Sequence, residues 1–373
     1  MTLSDKVGQL FMLGFSGTSV SKELTGLIDE YRPGGLILFS RNLRSPQQIA
    51  RLTNALQQKA ARGGRAASAA PLLIAVDQEG GRVSRVPAGF TVFPACGVLG
   101  RCDSTELAYS AAAATAAELR AVGINMNLAP VLDVDTNPQN PIIGDRSFSP
   151  DPTRVCELGL ATIAGLQDQK VIACGKHFPG HGDTTADSHK ELPVVTASRE
   201  RLHDLELRPF HHAISNGLAA LMTAHVLYPA LDEALPATLS PAILTGLLRD
   251  EMRFTGLTLT DDLEMHAIID HYGIGEAAVR AVLAGADLLL ICKDPDRQVT
   301  AMDAVLDAVK QGAIPERRLE ASLKRIAQTK QRFLHPYAPV DPRAVKQIVG
   351  SHEHKALVGR IAATSERRLK ASV

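Results

Sequence analysis

Val171-Ile172-Ala173-Cys174-Gly175-Lys176-His177-Phe178-Pro179-Gly180-His181-Gly182-Asp183-Thr184-Thr185-Ala186-Asp187-Ser188-His189 begins apolar and turns abruptly polar. Val171 to Cys174 reads as a short buried strand. It delivers Lys176 and His177 at its C-terminal end. A loop with one proline and two glycines follows, able to turn sharply and to reach positive φ. The fourteen residues from Lys176 to His189 hold three His, two Asp and one Lys. A plain connector has no need of so many titrating groups, whereas a catalytic loop does.

The same unit, an apolar run ending in polar residues, recurs on both sides of this stretch. Leu10 to Phe15 is the first run. Gly35 to Phe39 ends in Ser40-Arg41-Asn42, and Leu72 to Val76 in Asp77-Gln78-Glu79. Ile124 to Ala129 leads to Pro130-Val131-Leu132-Asp133. Ala219 to Thr223 ends in Ala224-His225, Gly256 to Thr260 in Asp261-Asp262, and Asp287 to Ile291 in Cys292-Lys293-Asp294. With Val171 to Cys174 these make eight candidate strands. Near-continuous apolar strands indicate a parallel sheet covered on both faces. Amphipathic stretches lie between them, among them Ser45 to Ala61, Ser104 to Ala121, Pro152 to Gln167 and Ser198 to Ser215. Eight strands alternating with helices predict an α/β fold, a (β/α)8 TIM barrel, over a doubly wound open sheet. In a barrel the polar strand ends would converge on one mouth.

Pro138 to Pro152, rich in Pro, Asp, Asn and Arg, reads as a long functional loop after the fourth strand. Gly63 to Ala70 reads as a connector. Helical patterns resume at Arg297 to Gln311 and Glu316 to Phe333. Beyond Pro336 and Pro339, Asp341 to Lys370 reads as a basic amphipathic helix. The expected organisation is a catalytic barrel over 1–335 and a helical C-terminal extension over 336–373, packed on it.

Composition narrows the partners. Lys+Arg and Asp+Glu both number 40, so no global positive field draws nucleic acid or anionic lipid. Aromatics are 4% with no Trp, so an extended aromatic stacking cleft is not advertised. The five cysteines (Cys96, Cys102, Cys156, Cys174, Cys292) show no C-x-x-C spacing and read as buried thiols of a reducing compartment. The first residues lack a basic and then apolar signal pattern, and no apolar run approaches about 18 residues. The expectation is a soluble cytoplasmic protein.

Asp187-Ser188-His189 puts a carboxylate two residues before an imidazole. There it can accept from one ring N–H, fix the tautomer and leave the other nitrogen to shuttle a proton. Taken alone, a surface turn explains that triplet equally well. Asp261-Asp262 at a strand end offers a nucleophile or base, or else a helix N-cap. Asp77-Gln78-Glu79-Gly80-Gly81-Arg82-Val83-Ser84-Arg85 supplies glycines for close backbone approach and forked Arg donors. Gly144-Asp145-Arg146-Ser147-Phe148 adds another Arg. His177, His181 and His189 with Asp183 form a weak zinc pattern without helical H-E-x-x-H spacing.

These motifs together resemble family-3 glycoside hydrolases, and more narrowly the bacterial cytoplasmic β-N-acetylglucosaminidases (β-hexosaminidases) of peptidoglycan recycling. The likeness runs from Lys6 to Asp294. It rests on Gly34 to Asn42, D-Q-E-G-G-R-V at Asp77, R-S-F at Arg146, K-H-F-P-G-H-G-D-T at Lys176 and T-D-D-L-E-M at Thr260. The resemblance implies a barrel and a retaining exo-enzyme that removes terminal β-linked N-acetylglucosamine. It implies Asp261 as nucleophile, His189 paired with Asp187 as acid/base, and sugar contacts from Asp77, Arg85, Arg146, Lys176 and His177. The weak zinc pattern and the lack of a phosphate-binding motif lead to an expectation of no metal and no cofactor. Its partner is a small-molecule sugar, either an N-acetylglucosaminyl muropeptide or a chito-oligosaccharide. Strand parity does not by itself select Asp261. Leu257 and Leu259 share its parity, and if they face the helices, then Thr258, Thr260 and Asp262 turn inward. A phosphorylase or transferase using the same intermediate and a metal-dependent hydrolase on the His/Asp cluster are the alternatives.

Overall fold

The computed structural model describes residues 1–62, 70–188 and 190–371. Of the regions singled out above, His189 and nearly all of the Gly63–Ala70 connector lie outside the described residues. Eight parallel strands close into a barrel in sequence order. They are β1 (Phe11–Leu13), β2 (Gly35–Leu38), β3 (Leu73–Val76), β4 (Met126–Asn127), β5 (Ile172–Phe178), β6 (Ala220–Thr223), β7 (Leu257–Asp262) and β8 (Leu288–Ile291). The expected barrel is the observed fold. Every strand residue is buried except Asp261 and Asp262, which are partly exposed at the end of β7.

Helices follow the strands and cover the barrel: Lys22–Tyr31, Pro46–Arg62, Cys96–Cys102 with Thr105–Ala121, Pro152–Asp168, Arg199–Asp204 with Arg208–Ser215, a π-helical turn sequence Ala242–Glu251, Ile274–Ala284 and Pro295–Lys310. Side-chain oxygens start several of them. Ser104 accepts from the Leu107 N–H, Ser198 from the Arg201 N–H and Asp151 from the Thr153 N–H, each relieving an orphan donor of the first turn.

Two elements depart from the periodicity. Ser198 to Ser215 reads as one helix but forms two, broken around Leu205–Leu207. Pro209 has no N–H and would clash with the carbonyl of a preceding turn, so it sits in the first turn of a fresh helix. In the tail, helix does not start at Asp341. A 3-10 turn occupies Val345–Gln347, and the long helix runs from His352 to Ala371. Between them Gly350 takes φ 68°, and a Cβ there would sit 2.1 Å from the Gly89 carbonyl oxygen. Leu357 and Ile361 then pack against Cys96, Leu99 and Cys102.

Candidate active site

β5 runs further than its apolar residues indicate. The strand continues through Lys176 and His177 to Phe178, because the Lys176 amide donates to Pro130 O (3.1 Å) and its carbonyl accepts from Leu132 N (2.6 Å). Both residues are therefore set in the barrel wall, not on the loop beyond it.

Lys176 Nζ lies 2.8 Å from Asp77 Oδ1 and 2.7 Å from Glu79 Oε1. Arg146, from the long loop after β4, grips Glu79 with two parallel bonds of 2.8 Å each. Burial alone would lower the Lys176 pKa, but Asp77 and Glu79 overcome it and hold the ammonium above its ordinary value. Glu79 shows the converse. Burial pushes its carboxyl up, yet Lys176 and Arg146 hold it well below the usual range. Asp77, Lys176 and Arg146 thus form one network, with Glu79 as the shared anion.

His177 joins this network from the other side. Its Nε2 is 3.3 Å from Arg146 Nη2, and its Nδ1 is 2.7 Å from Asp133 Oδ2. A guanidinium can only donate, so Nε2 accepts and Nδ1–H donates to Asp133. The other oxygen of Asp133 accepts from the backbone N–H of His177 (3.1 Å) and of His181 (2.7 Å). Asp133 is fully buried.

The loop beyond β5 is pinned at its root. Asn140 Nδ2 donates to His181 O (2.8 Å) and Gly182 O (2.9 Å), and Tyr228 OH donates to Gly180 O (2.6 Å). Gly182 lies so close to Val134 O that a Cβ would stand 1.7 Å from it. The His181 ring bridges Thr184 Oγ1 (2.8 Å) and Ser188 Oγ (3.2 Å). Burial first, and the nearby His177, push its pKa down to about 4, so this ring is neutral. Asp187 is partly buried on the following turn, its carbonyl accepting from the amides of Lys190 and Glu191. The Ser188 carbonyl accepts from Ala267 N (3.3 Å), which ties this loop to the segment after β7.

At the end of β7 the two aspartates diverge. Thr258 accepts from Arg249 Nη2 (2.6 Å) on the covering helix, so it faces outward. Leu257 and Leu259 therefore point into the barrel, opposite to the orientation that would have favoured Asp262. Pairing with β8 then shifts, since Leu259 pairs with Leu288 and Asp262 with Leu290. Three steps along β7 match two along β8, a bulge that ends strict alternation. Asp262 Oδ1 accepts from Glu264 N (3.1 Å) and Cys292 N (3.3 Å). Burial, together with the charges of Glu264 and Asp261, pushes the Asp262 carboxyl up to about 7. Asp261 behaves differently. Burial opposes its ionisation, but His225, His177, the Asp262 amide and Lys176 hold its carboxyl below the ordinary range. The carboxylate that feels the β5 groups is Asp261.

Arg85 lies on the loop after β3, its backbone N–H held by Gln78 Oε1 (3.0 Å). Its Nε is buried without a hydrogen-bond partner among the described residues. It is thus not tied into the Glu79 network through that atom. For the zinc pattern, the ring nitrogens of His177 and His181 are already engaged, and Asp183 pairs with Arg201 at 3.1 Å. Among the described residues, no three His, Cys, Asp or Glu side chains are gathered as metal ligands. Sequence reading gave no role to Glu79, Asp133 or His225. Each stands in or just after a polar strand end, and that position was the available signal.

Comparison with known proteins agrees with this architecture. The model of the glycosyl hydrolase family 3 N-terminal domain matches residues 2–329. A beta-hexosaminidase of Nitrosomonas eutropha is 38% identical over 85% of this chain and 91% of its own length. A family-3 beta-N-acetylglucosaminidase from Paenibacillus superposes with a TM-score of 0.91 at 47% identity, over 98% of this chain and 69% of that one. NagZ from Neisseria gonorrhoeae, solved with N-trifluoroacetyl-D-glucosamine, superposes with a TM-score of 0.76 at 33% identity, over 95% and 98%. With the family model matched over residues 2–329 and relatives this similar along most of its length, this chain belongs to glycosyl hydrolase family 3 and is a glycoside hydrolase.

Proposed function

We propose that this chain is a retaining exo-β-N-acetylhexosaminidase that releases terminal β-linked N-acetylglucosamine. The observation that carries the reading is Asp261 at the end of β7, its Oδ1 held by the Asp262 N–H at 2.8 Å, where burial opposes its charge but His225, His177 and Lys176 favour it. The names of the similar hexosaminidases, and the N-acetylglucosamine analogue seen in the Neisseria protein, support the same sugar.

In this reading, Asp77, Arg85, Arg146, Lys176 and His177 hold the sugar hydroxyls. An Asp261 oxygen attacks the anomeric carbon while His189, paired with Asp187, gives a proton to the departing oxygen. A glycosyl-aspartate ester forms. His189 then takes a proton from water, which attacks the anomeric carbon and returns Asp261 as carboxylate, with net retention. Such proton transfer contributes about 10²–10⁴-fold in rate. The natural substrate is an N-acetylglucosaminyl-1,6-anhydromuramyl peptide of cell-wall recycling, handled in the cytoplasm by the barrel of residues 1–335.

The test is hydrolysis of an aryl N-acetyl-β-glucosaminide. Asp261→Ala should abolish it and Asp262→Ala should retain part of it; an active Asp261→Ala variant overturns the nucleophile. His189→Ala should slow poor leaving groups more than good ones. Formation of sugar-1-phosphate when phosphate is added would redirect the reading to phosphorolysis. Turnover of the anhydromuropeptide against chitobiose decides the aglycone.

A further inference from the structure

The tail beyond Pro336 packs against the loop after β3 and the helices that flank that loop in sequence. Asn54, on the helix Pro46–Arg62, holds both the N–H and the carbonyl of Val340 (3.1 and 2.8 Å). Further on, Glu118 of the helix Thr105–Ala121 is almost fully buried and serves two segments at once. Its Oε2 accepts from the Thr91 N–H (2.8 Å), which belongs to the loop after β3. Its Oε1 accepts from the Gly350 N–H (3.0 Å) and from His354 Nδ1–H (2.7 Å), which belong to the tail. A buried carboxylate needs such donors, so loop and tail are fastened through one group. Leu357 and Ile361 then share an apolar cluster with Phe93, Leu99 and Phe148, and Cys102 Sγ lies 3.3 Å from the Ile361 carbonyl oxygen.

The short helix Cys96–Cys102 connects this tail to two of the charged groups at the mouth. It meets the segment bearing Arg146, where a Cβ on Gly100 would stand 1.7 Å from the Phe148 carbonyl oxygen. The residues leading into it meet the turn after Glu79. There the Gly81 N–H donates to Phe93 O (2.9 Å), and a Cβ on Gly80 would stand 2.5 Å from Pro94 O. Backbones this close leave no slack, so a shift of the helix is passed to both segments. Lys176 is fixed in β5, whereas the paired bonds between Glu79 and Arg146 depend on where the two loops sit. We propose that the C-terminal extension is a positioning element of the sugar site. Its residues Gly350 to Ile361 hold the loop after β3 and the helix Cys96–Cys102 so that Glu79 and Arg146 meet Lys176 and Arg146 is set for the sugar. The inference rests on Arg146 being a sugar contact, as read above. Asp261 and the Asp187 loop draw support from elsewhere, Asp261 Oδ1 from the Asp262 N–H (2.8 Å) and the Ser188 carbonyl from Ala267 N (3.3 Å). The tail therefore acts on sugar binding and not on bond cleavage.

The experiment measures inhibition by free N-acetylglucosamine, and KM and kcat for an aryl N-acetyl-β-glucosaminide, in the full-length chain well below its melting temperature. Ile361→Ala truncates the contact with Phe93 and Leu99. It should raise the inhibition constant and KM about ten-fold, short of the ~10²-fold that a 1 Å misplacement can cost, with kcat unchanged. Should Ile361→Ala not fold, His354→Ala, which removes a partly exposed ring from Glu118, is read in its place and should move both constants the same way. Asp287→Ala, just before β8 at the opposite end of the barrel, controls for lost stability and should leave the inhibition constant at its wild-type value. Wild-type inhibition in the tail variant, an equal rise in Asp287→Ala, or a fall in kcat with KM unmoved overturns the proposal. Arg146→Ala separates the two readings. If it weakens inhibition while the tail variant does not, this inference alone falls; if it is inhibited like wild type, the sugar contacts read above fall as well.

Discussion

Asp133 accepts three hydrogen bonds, two from backbone amides and one from the His177 ring. Burial would raise its pKa, but His177 and the His181 ring and amide hold it below the ordinary range. Replacement by Asn keeps an oxygen for the two amides and puts an NH2 donor where the ring also donates. His177 would have to carry its hydrogen on Nε2, against the Arg146 guanidinium. Asp133→Asn is therefore expected to lower kcat/KM by about ten- to a hundred-fold, with the changed tautomer visible in the nitrogen NMR of His177. An unaltered tautomer with full activity contradicts this. Asp262 supplies a second residue-scale prediction. Its folded pKa of about 7 lies above the carboxylate value of an unfolded chain. The fold thus disfavours its ionised form. That penalty is absent below about pH 4, grows toward pH 7 and is complete above it. Asp262→Asn keeps the acceptor for Glu264 N and Cys292 N. Its melting temperature should exceed wild type at pH 8, and the gap should close by pH 4.

Among elements, the N-terminal end of the barrel is secured by Asp287, just before β8. Arg249 reaches it from the helix after β6 (2.7 Å), and Arg325 (2.8 Å) and Ser322 (2.5 Å) from the helix Glu316–Leu334. Arg318 of the same helix adds a longer contact of 3.8 Å. The Thr258 amide donates to the same carboxylate, so β7 is included (3.1 Å). Burial disfavours the charge of Asp287, yet the three guanidinium groups overcome that and hold its pKa down. Asp287→Ala leaves those cations without their anion. The expected cost is about 3–5 kcal/mol, measurable by urea unfolding. A shift below about 1 kcal/mol would mean that solvent replaces the carboxylate there.

For the molecule as a whole, Lys330 shows what closing the barrel over helix Glu316–Leu334 entails. Its ammonium is buried and meets Gln9 Oε1 at 3.1 Å. Burial pushes its pKa down to about 7. Above about pH 10.5 folded and unfolded chains are both neutral here. As pH falls toward 7 the unfolded chain gains a proton that the fold resists, and below 7 the whole penalty applies. Lys330→Met should raise the melting temperature, by more at pH 6 than at pH 9; an equal or smaller gain at pH 6 would show that the amine is solvated.

Much of this architecture was determined by the sequence alone. Eight short apolar runs with polar ends, separated by amphipathic stretches, leave a closed parallel sheet with helices outside as the arrangement that buries every strand on both faces. The motifs at Asp77, Arg146, Lys176 and Asp261 mark the mouth, because polar residues at the ends of buried strands have few other places to go. Local patterning did not show that Pro209 divides a helix until its missing N–H met a preceding turn. Nor did it show that β7 bulges, since a bulge exists only relative to the neighbouring strand. Glu79 with Arg146, Asp133 with His177 and His225 with Asp262 are separated by 67, 44 and 37 residues. Only the tertiary structure brings these groups within hydrogen-bond distance. The charge and tautomer of each are set by those contacts, because in a buried site a proton's position depends on which acceptor lies 3 Å away.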